Sequence, residues 1–284
     1  MNPPAFEFGP ALLFCPASRP DRFAKALDRA DAVILDLEDG VSATNRPAAR
    51  EALVATPLEP SRVIVRVNAV GTDDFALDVL ALARTNYRTV MLPKCERPSD
   101  IDAVGDLNVI ALCETARGVL AADHIAEHPQ VAALMWGAED LTVSTGGTSS
   151  RHSGGRYRDV AAHARARVLL AAAAAGRAAI DAVHVQLDDF QGLAAEASDA
   201  CAQGFRATAC LHPTQVPVVR EAYRPSDEAI DWATKVITAA ASEGGATRLD
   251  GAMIDEPLIR QARAVLQRAG RSDNQDSLRV TREA

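Results

Sequence analysis

The sequence predicts a (β/α)8 barrel, a TIM barrel, followed by a C-terminal helical extension. Three observations carry this. Short apolar runs alternate with helix-like segments eight times within about 220 residues, the count and length of such a barrel. The apolar runs are continuous rather than alternating, as in parallel strands covered on both faces. An open doubly wound sheet is the alternative, but the dinucleotide fingerprint GxGxxG is absent.

The elements follow in order. Ala11 to Cys15 reads as the first strand, with a helical run from Pro20 to Arg29. Ala32 to Leu37 is the second, with a helix over Arg46 to Ala55. Arg62 to Asn68 and Thr89 to Pro93 are the third and fourth, their helices at Phe75 to Arg84 and Ser99 to Val104. Asn108 to Cys113 precedes a helix over Ala116 to Glu127, and Val131 to Trp136 precedes a Gly/Ser/Thr-rich loop, Thr142 to Gly155. An Ala-rich helix spans Asp159 to Ala175. Ala178 to Val183 and Arg206 to Leu211 complete the eight strands, with helices at Gln191 to Ala202 and Gln215 to Ala222. The barrel domain is therefore placed at 1–224. After Pro225 the pattern changes: helices are expected over Ser226 to Ser242 and Pro257 to Arg268, and no ninth β/α unit follows. Residues 225–270 are expected to form a helical lid or an oligomer arm, and the polar stretch 271–284 is expected to be a disordered tail.

Composition narrows the function. Thirty basic against thirty-eight acidic residues give a net charge of −8, which argues against a nucleic-acid-binding surface and requires a local basic pocket for any anionic ligand. No run approaches the roughly 20 apolar residues of a membrane span. Glu7 and the lack of a basic start in Met1 to Pro10 argue against a signal peptide, so a cytoplasmic location is expected. Five cysteines without a CxxC pair form neither a disulfide framework nor a zinc knuckle; Cys15, Cys95, Cys113 and Cys210, in or next to apolar strand-like runs, read as small buried thiols.

Barrel enzymes carry their chemistry at the C-terminal ends of the strands. Those ends hold Asp36, Glu38 and Asp39; Arg66 and Asn68; Lys94; Glu114; Glu139 and Asp140; Asp181 and His184; and His212. Glu114 and Asp140, hard oxygen donors on adjacent strands, suit a divalent cation such as Mg²⁺ or, equally, form salt bridges to Arg117 and Arg66. His184 and His212 are either general bases or hydrogen-bonded structural histidines. Ser149 and Ser153 lack a GxSxG elbow, against nucleophilic serine catalysis. The glycine loop around Gly146 and Gly155 either closes over substrate or is a surface insertion.

The motifs LFCPASRPDRFAKA, VILDLEDGV, VRVNA, VMLPK, ETARGV, WGAEDL, LHPTQ and GAMIDEPL occur in one order between Ala11 and Ala269. In this the chain resembles the citrate lyase β-subunit-like proteins, particularly the stand-alone actinobacterial type, within a superfamily of CoA-dependent C–C lyases. The resemblance implies a Mg²⁺-dependent barrel, a homotrimer or hexamer with shared sites, that cleaves or forms 3-hydroxyacyl-CoA thioesters such as malyl-CoA, citramalyl-CoA or 3-hydroxy-3-methylglutaryl-CoA with release of a short 2-oxo acid or its analogue. It assigns Glu114 and Asp140 as metal ligands, Arg66 to substrate oxygens, and Glu38 and Asp39 to ordering the metal's waters. It assigns Asp255 as the acid/base residue contributed by a neighbouring subunit; from the residues alone Asp255 reads equally as the cap of the helix entered through Pro257. Arg19 and Lys25 are candidates for CoA phosphates. Arg46 departs from the lysine expected before AAR but touches no proposed ligand. Thioester hydrolysis after condensation, as in a malate synthase or malyl-CoA thioesterase, or a β subunit active only within a citrate lyase-like complex, stand as alternatives.

Overall fold

A computed structural model describes residues 4–243, 247–249 and 252–280. Eight parallel strands, β1 (Ala11–Pro16), β2 (Ala32–Asp36), β3 (Val63–Arg66), β4 (Thr89–Leu92), β5 (Asn108–Cys113), β6 (Val131–Trp136), β7 (Ala178–Asp181) and β8 (Ala207–Cys210), pair in sequence order. β8 returns to β1, with Ala11 opposite Thr208, and closes the barrel. The expected (β/α)8 architecture is present. Strand ends shift by up to two residues, mostly because apolar character continues into the loops after hydrogen-bonded pairing has stopped.

Alternate residues of each strand point inward. Leu12, Ala32, Ile34, Ile64, Met91, Ile110, Leu112, Ala133, Met135, Ile180, Ala207 and Ala209 pack together as the barrel interior. All are at most 3% exposed, so the interior is a packed core and not a channel. Phe6 and Phe8, in edge-to-face contact at 5.4 Å, pack against this cluster ahead of β1.

Two local features differ from the sequence expectation. A short helix, Ala138–Ser144, occupies the start of the loop after β6, carrying Glu139 and Asp140 in its first turn. The expected helix from Ala116 to Glu127 is two, Ala116–Leu120 and Ala122–Ala126, broken at Ala121.

The chain forms two compact units, Met1–Val219 and Arg220–Ala284, so the division falls inside helix Gln215–Tyr223 and ahead of the composition break at Pro225. The second unit contains helices Asp227–Glu243 and Glu256–Val280 and an antiparallel pair, β9 (Thr247–Leu249) with β10 (Ala252–Ile254). Ala233 and Val236 from one helix pack with Ile259, Ala262 and Val265 from the other, and with Ile254 of β10. The helical extension thus contains a strand pair that apolar periodicity did not reveal; the Asp-Gly dipeptide at 250–251 is the hairpin signal in the sequence. Helix Glu256–Val280 extends through 271–280, the start of the stretch expected to be a disordered tail; that stretch has no Gly or Pro to stop a helix. The remainder of the expected tail, 281–284, lies outside the described residues. Among the described residues, no helix is long and apolar enough to cross a membrane.

Candidate active site

The inward-facing series of the strands does not stop at the apolar core. On β2 it runs Ala32, Ile34, Asp36; on β3 Ile64, Arg66; and from β5 Ile110, Leu112, Glu114. The next inward position after each apolar layer is therefore charged, and these three side chains border a cavity of about 350 Å³. Phe14, Leu112, Met135, Trp136, Val183 and Leu211 supply its apolar wall, and Asp39, Glu139 and Asp140 complete its polar side. Few polar groups set in an apolar cleft are the usual composition of a small-molecule site.

Asp36 and Arg66 are register partners on adjacent strands. The pairing lets the Arg66 fork donate to both carboxylate oxygens, Nε to Oδ1 and Nη2 to Oδ2, each at 2.7 Å. Nη1 lies 3.1 Å from Glu38 Oε2, and the guanidinium sits 4.8 Å over the Phe14 ring. Burial opposes the Arg66 charge, but the Asp36 bond and the surrounding carboxylates outweigh it and hold its pKa above the ordinary value. Asp36 also shapes the turn after β2, accepting from Glu38 N at 3.0 Å and Gly40 N at 2.8 Å. A Cβ at position 40 would fall 2.4 Å from Asp36 Oδ2, so the turn requires glycine. The turn brings Glu38, only 5% exposed, beneath the cavity.

Glu114 is buried at the end of β5, and Asp140 lies half-buried in the first turn after β6. Burial, then the Asp140 carboxylate, push the Glu114 carboxyl up to about 8. The strand-end glycine before Asp140 makes room for this acid: a Cβ on Gly137 would stand 2.8 Å from Glu114 Oε2 and 2.9 Å from its Cβ. Lys94 Nζ reaches the same place, 2.6 Å from Glu38 Oε1, 3.5 Å from Asp140 Oδ1 and 3.7 Å from Glu114 Oε1. Burial opposes the lysine charge, yet Glu38 and its neighbours hold its pKa above the ordinary value. Among the described residues, no group of three or more His, Cys, Asp or Glu is gathered for a metal. Two hard carboxylates with an open cavity beside them fit Mg²⁺, which keeps most of its octahedron for water and substrate oxygens. They do not fit zinc, which seeks nitrogen and sulfur.

The expected site residues thus divide. Arg66, Glu114, Asp140, Glu38 and Asp39 belong to one neighbourhood, although Asp39 is exposed at the rim with no hydrogen bond into it. Arg66 spends its fork on Asp36, and Glu114 pairs with Lys94 rather than with Arg117; Arg117 instead pairs with Glu96 at 3.6 Å. Arg19 is exposed and paired with Asp21 at 2.8 Å, and Lys25 is exposed; neither borders the cavity. Arg46, at the position where lysine was expected, pairs with Asp74 at 2.6 Å, away from the proposed ligands. Asp255 is exposed in the second unit and caps helix Glu256–Val280, accepting from Leu258 N at 3.4 Å. The capping role is therefore present, whatever else the residue does.

The histidines resolve toward structure. His184 is buried with Nδ1 2.8 Å from Glu196 and Nε2 3.3 Å from Asp189, leaving neither ring nitrogen for substrate. His212 is exposed and engages Thr214 in its own turn at 2.8 Å. Asp181 accepts from the cavity-wall indole, Trp136 Nε1, at 2.7 Å and pairs with Arg165. Cys15, Cys95, Cys113 and Cys210 are buried, as expected. Asp36 and Lys94 stood among the strand-end residues of the sequence but were assigned no role in the site. Strand parity could have given Asp36 one, since it lies two residues beyond Ile34; Lys94 meets both acids through a left-handed backbone that no pattern foretells.

Comparison with known proteins agrees with this geometry. The family model of HpcH/HpaI aldolase/citrate lyase matches residues 11–213. A citrate lyase subunit beta-like protein of Mycobacterium tuberculosis is 54% identical over 267 residues, 94% of this chain and 98% of its own. A mitochondrial citramalyl-CoA lyase of Homo sapiens is 33% identical over 286 aligned residues, 89% of this chain and 83% of its own. The crystal structure of M. tuberculosis CitE in complex with magnesium, acetoacetate and coenzyme A superposes with a TM-score of 0.89 at 54% identity, covering 93% of this chain and 99% of that one. With the barrel closed and the strand-end acids and arginine gathered at one cavity, the chain belongs to the HpcH/HpaI aldolase/citrate lyase family of CoA-dependent carbon–carbon lyases, on its citrate lyase β-subunit-like branch.

Proposed function

We propose that this chain is a Mg²⁺-dependent lyase that cleaves, or in reverse forms, a 3-hydroxyacyl-CoA thioester such as citramalyl-CoA, malyl-CoA or 3-hydroxy-3-methylglutaryl-CoA. The observation that carries this reading is the Glu114–Asp140 carboxylate pair and Arg66 bordering one cavity that also has an apolar wall. Glu114 and Asp140 would hold Mg²⁺, which supplies Lewis-acid polarisation of the 2-oxo acid carbonyl. The magnesium, acetoacetate and coenzyme A in the M. tuberculosis relative support the same ligand classes here.

The chain's own groups then divide the work. In the condensation direction a base removes a proton from the acetyl-CoA methyl group, and that electron pair forms the new bond to the carbonyl carbon. Arg66, fixed by Asp36, presents cationic N–H groups to the oxygen on which charge develops, the preorganised stabilisation such a step needs. Phe14, Met135, Trp136 and Val183 exclude water from the reacting carbons. Asp255 of a neighbouring subunit is the acid/base residue in this proposal, returning the proton in cleavage. Glu38 and Asp39 order waters beside the cation, and Arg19 and Lys25 meet CoA phosphates. The enzyme acts in the cytoplasm as a homotrimer or hexamer with shared sites.

The test is purified protein incubated with a panel of CoA thioesters and Mg²⁺, with products resolved by mass. Release of acetyl-CoA and a 2-oxo acid, or acetoacetate from the methylglutaryl thioester, supports the lyase reading. Free CoA and an intact hydroxyacid would show thioester hydrolysis instead, and no turnover without added partner proteins would show a subunit of a larger complex. Glu114→Gln and Asp140→Asn should each abolish metal-dependent turnover while the fold persists; full activity of both in chelator refutes the metal assignment.

A further inference from the structure

Three carboxylates converge on one ammonium at the end of β4. Lys94 Nζ is in hydrogen-bond contact with Glu38 Oε1 at 2.6 Å, whereas Asp140 Oδ1 at 3.5 Å and Glu114 Oε1 at 3.7 Å lie at ion-pair distance. The ammonium therefore engages Glu38 directly and stands off the other two acids. The backbone is committed to this arrangement. Lys94 has φ +50°, the one positive value at a non-glycine among the described residues, a conformation that a side chain with a Cβ rarely adopts. It turns the Lys94 N–H onto Glu114 Oε1 at 3.1 Å while the side chain reaches Glu38, so one residue holds both acids. Backbone strain persists where surrounding structure over-determines it, and here it serves the cation site.

We propose that Lys94 is a specificity-determining residue of this cation site: by engaging Glu38 it withholds a third carboxylate from the bound ion. The proposal rests on the reading that Glu114 and Asp140 hold a divalent cation. Its physical basis is coordination. Mg²⁺ is content with one or two carboxylates and retains its waters, whereas Ca²⁺ takes six to eight oxygens and gains affinity with each added ligand charge. Glu38 Oε1 freed from Lys94, with Oε2 still 3.1 Å from Arg66 Nη1, would add a third carboxylate oxygen where the ammonium now stands near all three acids. The lysine charge also stands next to the incoming ion and opposes it, so the native site binds one ion moderately and favours Mg²⁺.

The test is calorimetric titration of the full chain with MgCl₂ and, separately, with CaCl₂. Lys94→Met should bind Mg²⁺ on the order of tenfold more tightly and Ca²⁺ on the order of a hundredfold more tightly, because a repulsive charge is lost and a ligand gained. The double variant Lys94→Met/Glu38→Gln removes both charges and should return both affinities to within about threefold of the unmodified chain. Should Lys94→Met not fold in chelator, recovery of helical circular dichroism at lower Ca²⁺ than Mg²⁺ concentration carries the same meaning, and no recovery overturns the proposal. Unchanged affinities in Lys94→Met, equal gains for the two ions, or a gain retained in the double variant also overturn it. Asp140→Asn separates the two layers of reasoning. If it binds Mg²⁺ as the unmodified chain does, the metal assignment fails and this proposal with it; if it weakens binding while Lys94→Met changes nothing, the lysine role alone fails.

Discussion

Asp36 was not among the residues the sequence motifs singled out for chemistry, yet the structure makes it the support of Arg66, so its removal is the sharpest test of how the site is held. Asp36 is 3% exposed and accepts four hydrogen bonds, two from Arg66 at 2.7 Å and one each from Glu38 N and Gly40 N. In Asp36→Ala the guanidinium keeps only Glu38, 3.1 Å from Nη1, and the buried Glu38 N–H loses its partner. Breaking a buried pair from one side costs about 3–5 kcal/mol. The remaining Glu38 contact moves the expectation to the lower end, and the orphaned N–H adds about 1 kcal/mol. The net expectation is a loss of about 3–4 kcal/mol. Asp36→Asn, which keeps an acceptor oxygen but not the charge, should fall between the two. Urea unfolding followed by far-ultraviolet circular dichroism in chelator reads the stability. Steady-state turnover reads the consequence for Arg66, whose release should lower kcat/KM on the order of 10²-fold. A stability loss below about 1 kcal/mol for Asp36→Ala, the value of an ordinary exposed ion pair, would refute the claim that Asp36 anchors the arginine. So would unchanged turnover in a well-folded variant.

Other outcomes follow from the same geometry. Arg66→Lys keeps the charge but loses the planar fork that meets both Asp36 oxygens, so kcat/KM should fall on the order of 10²-fold; unchanged kinetics would reduce Arg66 to a dispensable ion-pair partner. Mixing inactive Asp255→Asn with inactive Asp140→Asn chains should restore part of the activity after confirmed subunit exchange, and no recovery would refute a shared site. A capping role for Asp255 costs only about 1 kcal/mol, so a rate loss of 10²-fold or more in a folded Asp255→Asn variant separates catalysis from capping. Burial pushes the Cys15 thiol up to about 11 and the Cys95 thiol up to about 12, so both remain protonated at pH 8. Alkylation there, read by mass spectrometry, should spare Cys15, Cys95 and Cys113 in the folded chain and label them after denaturation; rapid native labelling of any of the three would show that its strand opens readily.

The sequence by itself determined the barrel. Eight continuous apolar runs call for parallel strands covered on both faces, their count and spacing match a barrel, and β5 and β6 begin and end where those runs do. The ordered motifs likewise identified the family and gathered Arg66, Glu114 and Asp140 as one group, because strand ends on the same face of a barrel must converge. What the sequence could not decide was how the charges pair. Asp36, Glu38 and Asp39 stand within four residues of one another, and composition treats them alike. Register sets Asp36 against Arg66, a turn requiring Gly40 buries Glu38, and Asp39 is left at the rim. His184 illustrates the same limit: beside a strand it reads as a base, but Glu196 and Asp189, distant or adjacent in the chain, occupy both its nitrogens. Pattern reports which face a residue occupies, a property of local backbone period. Which partner neutralises it depends on atoms brought close from elsewhere in the chain, and only the closed barrel supplies those.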